Sequence, residues 1–477
     1  MSPRRNAESV PSRPRDEAVP APPGGDPAPT SGELAPPRLR SRDVLATWWP
    51  LAGSWLLMGV EIPAVSAVVA RLEDPTTNLA AFGGVVFPLA LLVESPIIMM
   101  LAASTAMSRD AIAFRRLRAF MTRMAVVLTL IHVAVAFTPL LDWLALSVIG
   151  VKPELVEPAR LGLICLTPWT WAIGDRRFHQ GLLIRFGRSR DVAVGTMIRL
   201  VGTAIPLTIG LAVGTLPGVA VAGIAMSCGV LFEAAYARWC ARAVIRGPLA
   251  GAPRVTPDAD LTTGAILAFY VPLAMTPLLG LLSQPIGAAG MARMPLVVES
   301  LAVWSMINGL GFLIRSVGTA FNEVVVRHAG DRGAERTLTR FAVIAGAIAT
   351  SVHLLIAVTP AGAWLFQHVG GLPSELSAVA AEAFLFAAAL PMLVWMMSLW
   401  TGLLVNARRT RAISEAVVLF IVGTSAVLVL GARLDVLAGA IVANLALTAG
   451  ATVQVAWLGI RWRGVRRAAE RQGADRG

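Results

Sequence analysis

The chain reads as a succession of mostly apolar blocks, each about as long as a helix that crosses a bilayer. Such a helix needs about 20 predominantly apolar residues at 1.5 Å rise per residue. By that measure helices fall near 45–70, 79–106, 119–144, 157–183, 191–214 and 217–243. After a polar loop, six more fall near 264–288, 295–320, 341–366, 376–405, 412–431 and 436–460. Hydrocarbon offers the backbone no partner, so a chain of such blocks must satisfy its peptide groups within helices. The expected fold class is an all-α integral membrane protein with twelve transmembrane helices.

The polar remainder supports this. Of 477 residues only 15% are charged and 56% are hydrophobic, yet the formal net charge is +12. A soluble domain carries about 25% charged residues, and a nucleic-acid binder with this excess would need a polar module to present it. The arginines cluster instead in alternate short loops: Arg109, Arg115, Arg116 and Arg118; Arg185, Arg188 and Arg190; Arg238, Arg242 and Arg246; Arg327, Arg336 and Arg340; Arg408, Arg409 and Arg411. The intervening loops hold only Arg71, Lys152, Arg160, Arg293 and Arg433. Positive charge retained in cytoplasmic loops orients membrane proteins, so both termini are expected to be cytoplasmic, in the plasma (inner) membrane. The domain plan is a disordered cytoplasmic tail (1–43), a six-helix lobe (44–245), an inter-lobe loop (246–263), a second six-helix lobe (264–462) and a basic tail (463–477). Residues 1–43 lack an apolar segment, which excludes a cleavable signal peptide and predicts disorder.

Lys152 is the sole lysine, so no GxxxxGK phosphate loop exists, and neither HExxH nor GxSxG occurs. Cys165, Cys228 and Cys240 lie in apolar stretches without CxxC spacing and read as small packed hydrophobes. No enzyme, metal site or cofactor is expected, and no nucleic-acid partner.

The two halves repeat. At an offset of 221, residues 120–190 align without gaps on 341–411, matching His132 with His353, Thr138-Pro139 with Thr359-Pro360, and Glu154 with Glu375. At an offset of 222, Pro50-Leu51-Ala52 matches Pro272-Leu273-Ala274. Six helices per repeat put both repeats in the membrane the same way up. Parallel repeats about an axis along the membrane normal place a substrate path between them.

Several segments resemble the progressive ankylosis protein family. These are Trp48-Trp49-Pro50-Leu51 with Glu61 and Leu79-Ala80-Ala81-Phe82-Gly83; Phe269-Tyr270-Val271-Pro272-Leu273-Ala274 with Ser283-Gln284-Pro285-Ile286; Ile314-Arg315-Ser316-Val317 with Ala320-Phe321; and Thr401-Gly402-Leu403-Leu404 with Arg408-Arg409-Thr410. The resemblance covers roughly 45–460. Gln284 departs from it, standing where animal members would carry an arginine. The resemblance implies a branch of the superfamily of multidrug-and-toxin extruders (MATE) and lipid flippases, with two six-helix bundles in a V. It also implies export of small anions such as pyrophosphate, nucleotide or citrate.

Charged groups at membrane depth are costly and mark function by default. Glu61, two residues before Pro63, is a coupling carboxylate or the partner of an arginine. Glu94 and Glu299 each sit in a Val-Glu-Ser triplet and are further ion-coupling candidates. Arg315 is the first choice for substrate, because guanidinium offers a planar fork to phosphate or carboxylate; the alternative is snorkelling to the cytoplasmic surface. Gln284, Arg177 and Arg199 complete the substrate-binding candidates, while Asp175, Arg176 and Arg177 cannot all face one way. His132 and His353 read as shared packing. The resulting expectation is a secondary exporter of a small anionic metabolite working by alternating access, with a proton or sodium ion as coupling partner. Alternatives are a cation-coupled multidrug exporter, a lipid-linked sugar flippase and a non-transporting scaffold.

Overall fold

A computed structural model describes residues 39–254 and 262–474 apart from Arg332, Arg408 and Thr410. The expected N-terminal tail therefore lies almost wholly outside the described residues, as does 255–261 of the inter-lobe loop. The first lobe comprises α1 (Ser41–Val69), α2 (Pro75–Met107), α3 (Ala111–Phe137), α4 (Val156–Arg185), α5 (Ser189–Val213) and α6 (Gly218–Arg246). The second begins with α7 (Thr263–Leu281, continued by Ser283–Met291) and α8 (Val297–Thr319, continued by Phe321–His328). It goes on through α9 (Ala334–Val358), α10 (Ser374–Leu385 and Leu390–Asn406), α11 (Arg411–Leu434) and α12 (Gly439–Ala474).

The protein is all-helical among the described residues, as expected. The count of twelve spans is not reproduced in full. Nine described helices are long and apolar enough to cross a membrane, or ten if α10, bent by 44°, is one span. Two expected spans do not meet that measure. One is α4, whose 30 residues include Asp175, Arg176 and Arg177; the other is α7, which breaks after Leu281. α12 also runs beyond the expected boundary at 462, to Ala474.

Local chemistry accounts for the element ends. Asp110 caps α3 by accepting from the amides of Ile112 and Ala113 at 3.0 and 2.9 Å, satisfying donors a helix start leaves free. After α3, a short wide-turned helix ends at Gly150 with φ +87; after α9 its counterpart ends beside Gly371 with φ +74. Both are left-handed positions that favour glycine.

The repeat is physical as well as textual. His132 Nε2 lies 2.8 Å from the Leu163 carbonyl, and His353 Nε2 lies 2.9 Å from the Phe384 carbonyl, both partners shifted by the same 221 residues. The histidines thus tie α3 to α4 and α9 to α10, as the packing reading requires. Lobe packing repeats too. A Cβ at Gly229 would meet Thr203 Oγ1 at 2.1 Å, and one at Gly450 would meet Thr424 Oγ1 at 2.2 Å. A Cβ at Gly181 would meet the Leu101 carbonyl at 2.3 Å, and one at Gly402 the Asn322 carbonyl at 3.1 Å. Such small residues let helices approach closely where lipid supplies no hydrophobic drive between them. They carry the 221-residue register from α2 and α8 to α6 and α12.

The lobes meet along α1, α2 and α8. A Cβ at Gly309 would lie 2.8 Å from Pro63 Cδ, and Ser66 Oγ donates to Ser305 Oγ at 3.1 Å. At the face where α1 ends, the one expected to be outer, two arginines cross between lobes. Arg71 donates to the carbonyls of His368 and Val369 at 2.7 and 2.9 Å. Arg293 donates to those of Ile149 and Val148 at 2.7 and 3.0 Å. The pair is related by the repeat, since Arg71 and Arg293 stand 222 residues apart. Toward the opposite face the Tyr270 hydroxyl donates to the Pro96 carbonyl at 2.5 Å, joining α7 to α2.

Candidate functional site

Between these closures lies a cavity of about 360 Å³ lined from both lobes. α1 contributes Glu61, α2 Glu94, α4 Arg176 and Arg177, and α5 Arg199. From the second lobe come Gln284 on α7 and Asn308 and Arg315 on α8. Six of the seven residues singled out from the sequence thus meet in one cavity. Glu299 does not: it sits in the first turn of α8, near the outer face. The Val-Glu-Ser echo is accidental in register, and the position equivalent to Glu94 at 221 residues is Arg315. The duplicated site therefore carries opposite charges in its two copies.

Four of the charges form a closed network inside the first lobe. Arg176 pairs with Glu233 at 2.5 Å, and Gln180 donates to Glu233 at 2.8 Å. Arg199 lies between Glu233 at 3.7 Å and Glu61 at 3.4 Å, and Thr203 Oγ1 donates to Glu61 at 2.9 Å. Two guanidinium and two carboxylate groups balance here, which is the condition for holding buried charge. Glu61 is thus the partner of an arginine, and Arg199 is committed to two acids. Asp175 faces elsewhere, bonded to Arg238 at 2.5 and 3.1 Å, so the three adjacent charges on α4 do diverge.

Glu233 was missed from the sequence, although it is the sole acid in α6 and 1% exposed. A carboxylate in the middle of an otherwise apolar span was the available signal.

Outside this network stand Glu94, Arg177 and Arg315. Buried Oε2 of Glu94 and Nε of Arg177 have no hydrogen-bond partner. Arg315 makes no ion pair or side-chain hydrogen bond among the described residues, and it does not snorkel. Its guanidinium folds back along α8, so that a Cβ at Gly311 would lie 2.8 Å from Nη1. Helical side chains lean toward the N-terminus, which for α8 carries the charge from the C-terminal end toward the cavity. Two arginines against one glutamate leave the unpaired part of the site at +1, or +2 when Glu94 holds a proton.

Residues 258–470 match the progressive ankylosis protein (ANKH) family. The match spans the whole second lobe and bears out the resemblance read from the sequence. No curated protein matches the chain by sequence. Among solved structures, an inward-facing multidrug-resistance MATE transporter of the MOP superfamily is 16% identical, covering 90% of this chain and 99% of its own at a TM-score of 0.57. The lipid II flippase MurJ, in an inward closed conformation, is 10% identical, covering 86% and 87% at 0.64. A MOP superfamily transporter from Pyrococcus furiosus, reported with a binding pocket of reverse polarity, is 14% identical, covering 90% and 97% at 0.55. The chain thus shares the fold of these MATE-like structures, and its second lobe matches the ANKH family model.

Proposed function

We propose that the chain is a secondary-active exporter of a small anionic metabolite of the pyrophosphate, nucleotide or citrate type, working by alternating access between its lobes. The observation that carries this is the pair Arg177 and Arg315, neither of which makes an ion pair among the described residues, beside a Glu61–Arg199–Glu233–Arg176 network that balances itself. Guanidinium groups in a low-dielectric cavity bind phosphate or carboxylate through charge-assisted bonds stronger than any they make to water. Gln284 and Asn308 add neutral groups to orient the substrate.

Glu94 is the coupling carboxylate in this reading. A proton on it raises the unpaired charge of the cavity and with it the attraction for an anion, so proton and substrate binding favour each other. Glu61 and Arg199 hold the first lobe in shape around it. The arginine-rich face is cytoplasmic, and the chain resides in the plasma (inner) membrane. A cation exporter is disfavoured, because its cavity would need unpaired acids to outnumber unpaired arginines.

The test is efflux from proteoliposomes loaded with pyrophosphate, ATP or citrate. At least one should leave at a rate abolished by Arg315→Gln and reduced at least tenfold by Arg177→Gln. Movement of ethidium-type cations with no movement of these anions, or full activity of both variants, overturns the proposal.

A further inference from the structure

The second lobe contains a separate cavity of about 300 Å³, and Arg315 lines it as well as the central one. Its position is not arbitrary. Moved through the repeat, the charged interior of the first lobe falls on the walls of this cavity, with every charge but one lost and that one reversed in sign. Glu61 becomes Ser283, Arg176 becomes Met397, Arg199 becomes Phe420 and Glu233 becomes Gln454. Glu94 becomes Arg315. Large side chains are also lost: Met58 corresponds to Gly280 and Trp169 to Leu390. The first copy fills its interior with an ion-paired network. The second has neither the network nor the bulk, and a Cβ built on Gly280 meets nothing within 4 Å.

The cavity is partly open and its walls are mostly apolar, and a concave apolar site accepts apolar ligands. Here it opens beside a guanidinium that makes no ion pair or side-chain hydrogen bond among the described residues. We infer that the second lobe's cavity is an apolar subsite, continuous through Arg315 with the central one, and that the substrate is an amphipathic anion. Its phosphate or carboxylate lies between Arg315 and Arg177, and a short alkyl, prenyl or aromatic body occupies the space beside Gly280 and Leu390. This rests on the anionic reading of the central cavity and narrows it.

The experiment compares binding of methyl phosphate and octyl phosphate to the purified full chain by calorimetry, at fixed detergent. Each methylene withdrawn from water strengthens binding, so octyl phosphate should bind at least tenfold more tightly. Restoring the first lobe's residues, by Gly280→Met or Leu390→Trp, should bring the ratio of affinities near one. Arg315→Gln should weaken both ligands. The two fillings act from different helices, and unfolding followed by tryptophan emission confirms that each variant is folded. A chain-length gain that survives both fillings reflects partition into detergent and overturns the proposal, as does equal binding of the two phosphates by the unaltered chain. Absence of binding by either phosphate refutes the anionic reading itself.

Discussion

Removal of the two outer arginines should release the lobes from one another at that face. Arg71 and Arg293 each place two hydrogen bonds across the lobe boundary, on carbonyls at the ends of the short helices that follow α9 and α3. Each also bonds a carbonyl of its own helix, Ala67 or Ala289, and those bonds persist when the lobes part. Only the four crossing bonds distinguish the two states, and only a difference between states moves an equilibrium. Charge-assisted bonds contribute about 1.5–3 kcal/mol when buried, and partial exposure brings these to about 1 kcal/mol each. Alanine at one position should therefore shift the closed-to-open ratio by about 2 kcal/mol, roughly 30-fold, and at both by about 4 kcal/mol, roughly 10³-fold. The assay is a spin-label distance between Glu154→Cys and Glu375→Cys, repeat-equivalent exposed sites on the two lobes, with the three native cysteines replaced by alanine. The double variant should show a longer, broader distance at the outer face, and each single variant an intermediate one. An unchanged distribution would refute the reasoning. So would one single variant that reproduces the whole effect, because the two latches share no atoms and should add.

The other predictions concern separate parts of the same machine. Tyr270→Phe deletes the hydroxyl bond to Pro96 and should shift the same spin-label distances in the opposite sense, toward outer closure, by about 1 kcal/mol. Gly371→Ala should weaken the outer closure, since φ is +74 and the added methyl would lie 2.5 Å from Arg71 Nη1; Gly187→Ala, also left-handed but with nothing near it, is the control, and the difference in distance distribution is the readout. Glu233→Ala leaves Arg176 and Arg199 without their shared acid and should destabilise the protein by about 3–5 kcal/mol, seen as a lowered thermal midpoint in detergent. Glu94→Gln fixes the unpaired charge of the cavity at its higher value, so anion efflux should persist but lose its dependence on an imposed proton gradient. Retention of that dependence would move the coupling role to another group.

Much of this was legible before any coordinates. Apolar blocks gave the helices because block length and peptide satisfaction in lipid leave few options. A gapless repeat gave two equivalent lobes, and five of the six candidate charges proved to share a cavity because intramembrane charge is too costly to keep without a use. Where the reading stopped is equally physical. The cost of a buried charge reveals that a residue has a partner without revealing which one. Glu61 could have been a free coupling acid, and Arg199 a substrate ligand. The helix crossing that brings α5 between α1 and α6 commits them to each other and to Glu233. Span counting by apolarity passes over α4 for a related reason, since Asp175, Arg176 and Arg177 lower its apolarity without removing the helix from the bundle.

By itself the sequence determined the class of fold, the twofold internal repeat and the short inventory of polar groups placed at membrane depth. These follow from periodicity and transfer energy, which are properties of each segment alone. Only the tertiary structure decided which charges cancel and which remain. It sorted Arg177 and Arg315 from Arg176 and Arg199, turned two sparse arginines into reciprocal latches, and left one lobe's copy of the site filled with ion-paired side chains and the other's largely without charge. Each of those outcomes depends on distances between helices far apart in the chain, and electrostatic pairing is fixed by distance.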